Sequence, residues 1–222
     1  MLGNDYFYAM KTTPITNTAG VILAGGKSRR FGSNKALADI DGCPMIEHGA
    51  ALLNDLFTER LLVTNTPDYY HFLNWPVTPD IFPGAGPLAG IHAALKKINC
   101  SRAFITACDM PLINSRLIQF LCGTPGDWDI IVPWLDRGPE PLYGVYRKSC
   151  LEVIENNLLN DQRKIRLIFD QLKIRKVSLD EITPHISDLT TFVNINRLSD
   201  LAKLPKNSDG RYSNQQSEHP PC

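Results

Sequence analysis

The feature that most restricts the fold of this chain is its alternation of short, wholly apolar runs with stretches of helical periodicity. Residues 21–24, 61–63, 103–106 and 130–132 show no polar alternation, the pattern of strands buried on both faces. Between these runs Ile46, Ala50, Leu53 and Phe57 recur at helical spacing. Leu88, Ile91, Ala94, Leu95 and Ile98 do the same behind Pro87, a residue suited to the first position of a helix. Residues 115–121 are a shorter helical candidate. This repetition predicts an α/β chain whose mostly parallel sheet is covered by helices.

Beyond residue 132 the pattern changes. Residues 142–146 read as a strand, 151–159 and 164–172 as helices, and 174–179 and 192–195 as further strands. This half need not be parallel, so the central sheet is expected to be partly mixed. A length of 222 residues suits one full domain of this kind but not two. Residues 206–222 are polar and cannot bury enough apolar surface to offset their ordering entropy. The expected organisation is a disordered extension over 1–18, one domain over 19–205 and a disordered tail over 206–222.

Charge is balanced, with 23 Lys and Arg against 23 Asp and Glu, which argues against a duplex nucleic-acid binder. Anion-binding residues must therefore be local. The cysteines form no CxxC pair and several sit in apolar runs, so small buried hydrophobes are expected rather than a disulfide framework. No stretch approaches membrane-spanning length, and the cytoplasm is the expected compartment. His48, His71, His92, His185 and His219 are scattered and receive no role.

The most informative segment is the glycine-rich loop. The apolar run at 21–24 leads directly into Gly25 and Gly26, followed by Lys27, Arg29, Arg30, Gly32 and Lys35. Glycines at a strand end let backbone N–H groups approach an anion closely, and the basic residues supply charge for phosphates. The competing reading is a β-turn with a solvated basic loop. A Walker A loop is excluded because its first glycine would fall at Val21. A dinucleotide fingerprint at Gly84 and Gly86 is excluded because Pro87 follows and no apolar strand leads in.

Residues 23–32 with Lys35, then Asp80, 86–90, 108–111, 140–146 and 192–196 resemble, in order and spacing, the motifs of the molybdenum cofactor guanylyltransferases. The resemblance covers roughly residues 19–204. It implies a three-layer, Rossmann-like nucleotidyltransferase fold and transfer of GMP from GTP to the phosphate of molybdopterin, with Mg²⁺ and release of pyrophosphate. It implies catalytic roles for Lys35, Arg30 and Asp109, with Asp109 as metal ligand. The nucleotide would be held by Leu23, Ala24, Gly25, Gly26, Lys35, Asp80, Gly86, Pro87 and Asp109. Thr64 and Asn65, at the end of another apolar run, would join them. Asn194, Asn196 and Arg163 would serve the pterin. The implied partners are GTP and molybdopterin, with other cofactor-biosynthesis proteins and acceptor molybdoenzymes beyond them, no nucleic acid, no membrane, and a monomeric enzyme.

Local reasoning bears on several of these residues. Asp109 follows an apolar strand, and the carboxyl ends of strands are where open α/β sheets bind ligands; Mg²⁺ held with a triphosphate takes one or two protein carboxylates. A turn-capping Asp ahead of Pro111 is the alternative. Asp80 could equally form an Asx-turn. Asn194 and Asn196, two apart on an extended strand, would share a face, or cap the next helix, as Ser199 could. Arg163 and Lys164 could simply be a solvated helix start. Two departures from the family stand out, Asn34 in place of Asp and Arg197 in place of Thr. The rival readings are a cytidylyltransferase of the same cofactor, a sugar-phosphate nucleotidyltransferase, and a non-catalytic nucleotide-binding regulator.

Overall fold

The structure, a computed structural model, describes residues 13–25 and 34–201. The expectations for 1–12, for the loop 26–33 and for 202–222 lie outside these residues. Strand β1 (Ala19–Leu23) leads to a 3₁₀ turn, Lys35–Leu37, and a small hairpin of β2 (Asp39–Ile40) and β3 (Cys43–Pro44). Then come α1 (Met45–Leu56), β4 (Arg60–Val63), a 3₁₀ segment Pro67–Leu73, β5 (Val77–Thr78), α2 (Pro87–Lys97) and β6 (Arg102–Ala107). The second half contains α3 (Ser115–Gly123), β7 (Ile130–Leu135), β8 (Gly138–Pro139), β9 (Tyr143–Arg147) and α4 (Leu151–Leu159). It ends with β10 (Ile174–Ser178), α5 (Leu179–Ile182) and α6 (Leu198–Leu201).

The central sheet has eight strands in the order β10-β7-β9-β6-β1-β4-β5, with β8 paired to β7. β1 runs parallel to β4 and β6, β4 to β5, and β7 to β10, while β9 is antiparallel to both β6 and β7. The sheet is thus mostly parallel and partly mixed. Alternate residues of each strand enter opposite cores, as a pleat of period two requires. Ile22, Leu62, Phe104, Ile131 and Val145 pack with α1, α3 and α5. Val21, Leu23, Leu61, Val63, Ala103, Ile105, Ile130 and Val132 pack with α2 and α4. The result is a three-layer α/β/α molecule, and the absence of alternation in the runs follows from burial on both faces.

Two elements differ from the sequence reading. The helix expected over 164–172 is a 3₁₀ segment, Ile165–Gln171, of which only Ile165 and Ile168 are buried; a single inward edge of this kind does not call for a full amphipathic helix. The strand expected over 192–195 does not form. Leu189–Phe192 is a 3₁₀ turn, Val193 N–H closes back on Thr190 O, and Ile195 N–H donates to Asp109 O at 2.8 Å. Its apolar residues are buried without a ladder: Phe192 packs on Tyr143, and Ile195 joins Ile40, Met45 and Leu112. Among the cysteines, Cys100, Cys108, Cys122 and Cys150 are free, whereas Cys43 is disulfide-bonded, which corrects the expectation at that position. No described helix is long and apolar enough to cross a membrane.

Candidate active site

The carboxyl ends of β1, β4 and β6 open on a cavity of about 1240 Å³. Parallel strands bring these ends to one edge of the sheet, so residues far apart in sequence converge there. Leu23, Ala24 and Gly25 enter from β1, Thr64 and Asn65 from β4, and Asp109 from just beyond β6. Cys108 N–H donates to Leu23 O at 3.1 Å and Ala24 N–H to Val63 O at 2.9 Å, which extends the ladder to the rim of the cavity.

The floor on the α2 side comes from Gly86 and Pro87. Gly86 has φ 78°, in the region that an L side chain rarely adopts, and Pro87 opens the helix where its missing N–H costs nothing. Asp80 and Asn65 form a reciprocal pair: Asp80 N–H donates to Asn65 Oδ1 and Asn65 Nδ2 to Asp80 Oδ2, both at 2.9 Å. Burial raises the Asp80 carboxyl above the usual carboxylate range, and the Asn65 hydrogen bond opposes this. Asp80 is therefore braced across β4 and β5 by a partner fifteen residues away, rather than closing on its own backbone.

Lys35 is the electrostatic centre. Its Nζ donates to Asp109 Oδ2 at 2.8 Å and to Asn196 Oδ1 at 3.1 Å, and the lysine and aspartate side chains retain 13% and 25% of their exposure. Lys35 comes from the turn after the glycine-rich loop, Asp109 from just beyond β6 and Asn196 from the segment before α6, so one ammonium joins three parts of the chain. Asp109 Oδ1 takes no hydrogen bond among the described residues. The Asp109 carbonyl meanwhile anchors Ile195, and Asn194 and Asn196 both line the cavity although no strand carries them. From within α6, the Asp200 carboxylate accepts the N–H groups of Asn196 and Arg197 at 2.9 Å, which holds this segment beside the helix start.

Of the residues singled out from sequence, Leu23, Ala24, Gly25, Thr64, Asn65, Asp80, Gly86, Pro87, Asp109, Asn194 and Asn196 line this one cavity. Lys35 reaches it through Asp109 and Asn196. Arg163 stands at its edge, donating to Gly84 O at 3.1 Å and to Asp161. Gly26 and Arg30 lie outside the described residues. Sequence reasoning noted Asn34 only as a departure from the family and missed Tyr69 and Tyr70; all three also line the cavity, and two adjacent aromatics six residues beyond the end of β4 were the available signal. Cys108 was missed as a wall residue too, and burial pushes its thiol up to about 12, so it stays neutral. No group of three or more His, Cys, Asp and Glu able to hold a metal by themselves occurs among the described residues.

A family model described as a MobA-like NTP transferase domain matches residues 20–177. A relative from Carboxydothermus hydrogenoformans, named probable molybdenum cofactor guanylyltransferase, is 40% identical over 86% of this chain and 96% of its own length. The molybdenum cofactor guanylyltransferase of Desulfosudis oleivorans is 38% identical over 83% and 92% of the two chains. Among solved structures, molybdopterin-guanine dinucleotide biosynthesis protein A from Archaeoglobus fulgidus superposes with a TM-score of 0.72 at 26% identity, covering 84% of this chain and 96% of that one.

Proposed function

The chain belongs to the MobA-like NTP transferase family, and on that premise we propose that it transfers GMP from GTP to the phosphate of molybdopterin. Pyrophosphate leaves and the guanine dinucleotide of the cofactor forms. The observation that carries this reading is the bridge from Lys35 to both Asp109 and Asn196. It joins a carboxylate beyond a strand end, suited to the nucleotide, to an amide of the neighbouring segment 194–196, suited to the acceptor. The cavity of about 1240 Å³ exceeds the ~300–1,000 Å³ typical of single-ligand pockets.

The acceptor phosphate is a monoester and is already largely ionised near neutral pH, so no general base is needed. One of its oxygens forms a bond to the α-phosphorus as the bond from that phosphorus to the bridging oxygen of pyrophosphate breaks. The work left to the protein is positioning and charge neutralisation. Lys35 places a positive charge beside Asp109, where the reacting phosphates would lie, and the backbone of Leu23, Ala24 and Gly25 offers close approach at the strand end. Arg30 and Gly26 complete this reading from the glycine-rich loop. The donor set fits Mg²⁺: a hard cation shared with a triphosphate takes few protein oxygens, and Asp109 supplies a carboxylate with one oxygen that takes no hydrogen bond among the described residues. When bound, the ion would neutralise phosphate charge.

Asp80 is the candidate reader of the guanine edge, since its carboxylate can accept from the ring N–H and the exocyclic amine that adenine presents differently. Asn194 and Asn196, with Arg163 at the rim, make up the acceptor side. The reading includes a cytoplasmic monomer that hands its product to acceptor molybdoenzymes. The test is pyrophosphate release with molybdopterin as acceptor and GTP, CTP or ATP as donor. Fastest turnover of GTP is expected; faster turnover of CTP would replace the guanylyl reading with the cytidylyl one, and no turnover of any donor would favour a binding protein.

A further inference from the structure

We propose that Tyr70, acting through Asn34, is the residue pair that positions Lys35 in this protein. The proposal rests on the reading of Lys35 given above. Lys35 stands at the start of a three-residue 3₁₀ turn, Lys35–Leu37, too short to hold its own geometry. Besides the buried Ala36, its N-cap fixes the turn. Asn34 Oδ1 accepts the N–H of Ala36 at 3.2 Å, while the same amide grips the Tyr70 hydroxyl, with Nδ2 donating at 2.9 Å and the phenol returning its proton to Oδ1 at 3.2 Å. The cap of the Lys35 turn is thereby tied to a residue thirty-six positions away.

Tyr70 is itself buried. It is 3% exposed and belongs to the 3₁₀ segment after β4, where its ring packs in the core beneath α1. Its hydroxyl also contacts the buried Thr64 at the end of β4, and burial keeps the phenol protonated. Hydrogen bonds thus run from the buried Tyr70 through Asn34 to the backbone that carries Lys35. An aspartate at residue 34 could accept from Ala36 and from the phenol but could donate nothing, and it would add a negative charge next to Lys35. The amide gives the same cap without that charge, which accounts for this chain's departure from the family pattern.

The full chain, assayed for pyrophosphate release, tests this with Lys35→Ala, Asn34→Ala, Tyr70→Phe and the double variants with Lys35→Ala. Tyr70→Phe keeps the buried ring and removes only the hydroxyl, so folding is retained. The loss of one hydrogen bond in a positioning path predicts a fall in kcat of about 10-fold for each single variant, with KM for GTP changed by less than about 3-fold. In the Lys35→Ala background these losses should vanish, because the residue being positioned is gone. Asn34→Asp, which keeps both acceptor bonds, should recover most of the activity that Asn34→Ala loses. Undiminished turnover in Lys35→Ala would overturn the reading of Lys35 and this proposal with it. A large loss in Lys35→Ala alone, or losses that multiply in the doubles, would overturn the positioning path and leave the site reading standing.

Discussion

At Lys35 a single ammonium shares its hydrogens between Asp109 and Asn196, so its removal takes charge away from both sides of the proposed reaction. Lys35→Ala is expected to lower turnover by roughly 10²-fold or more, the scale of losing a preorganised charge partner; a change in melting temperature alone would mark it as structural. Asp109→Asn keeps the shape and an acceptor for Lys35 but removes the negative charge, so activity should fall by ~10²-fold or more and fail to recover as Mg²⁺ is raised. Gly25 faces Asp80 across the proposed base pocket: a Cβ there would meet Asp80 Oδ2 at 4.0 Å, ordinary contact that the fold tolerates. Gly25→Ala should therefore leave stability unchanged and lower kcat/KM for GTP more than for CTP, by a factor within the ~1–3 kcal/mol that one methyl group commands. Equal losses for both nucleotides would show that the base does not pass this point. Gly25 and Asp109 were legible in sequence because each follows an apolar run, where a parallel sheet must place its site, and Lys35 because it closes the glycine-rich loop. The pairing of Asn34 with Tyr70 was not, although Asn34 stood out as a departure from the family, because it depends on which loop lies beside which, and only the strand order decides that.

At the level of elements, the packing of α1 on β1 depends on a glycine. Gly20 on β1 lies against the ring of Phe57 at the end of α1, and a Cβ there would stand 2.6 Å from Phe57 Cδ2. Gly20→Ala should force the helix end away from the strand and destabilise by about 1–3 kcal/mol, which lowers the melting temperature by roughly 2–12 °C for a chain of this size. Adding Phe57→Leu should restore part of the loss; a Gly20→Ala variant that melts with the wild type would show that the ring simply moves. The apolar runs of β1, β4, β6 and β7 were readable because burial on both faces leaves no alternative pattern. Residues 192–195 carry the same apolar character for another reason. Phe192 and Ile195 plug gaps beside Tyr143 and Leu112, and nothing in their composition distinguishes a plug from a strand.

On the scale of the whole molecule, the order β10-β7-β9-β6-β1-β4-β5 could not be read from the sequence, since alternation fixes the layers but not which strands are neighbours. That order creates two separate cores, and each holds one buried histidine. His48 on α1 has Nε2 3.0 Å from Ile40 O, and His92 on α2 has Nε2 3.5 Å from Glu155 Oε2, with Nδ1 lacking a partner among the described residues. Burial is the largest influence on both and lowers each below the ordinary value of 6.5, against the opposing pull of Ile40 and of Glu155. The sign follows from linkage: above 6.5 both states carry neutral imidazole, but as pH falls through 6.5 the unfolded chain takes up protons that the folded chain resists, so stability falls. Glu47 and Asp80 are shifted the other way, raised by burial from ordinary values of 4.5 and 3.8, and deprotonating them costs the folded state, so acidification relieves that cost at lower pH. The two histidines should therefore dominate between pH 7.5 and 6, and the melting temperature should decline across that interval. In His48→Asn/His92→Gln, which cannot take up these protons, the decline should be largely removed even if the variant is less stable throughout. Thermal melts of both proteins at pH 7.5, 7, 6.5 and 6 decide the matter, and parallel slopes in the two would show that the buried histidines do not set the acid sensitivity of the fold.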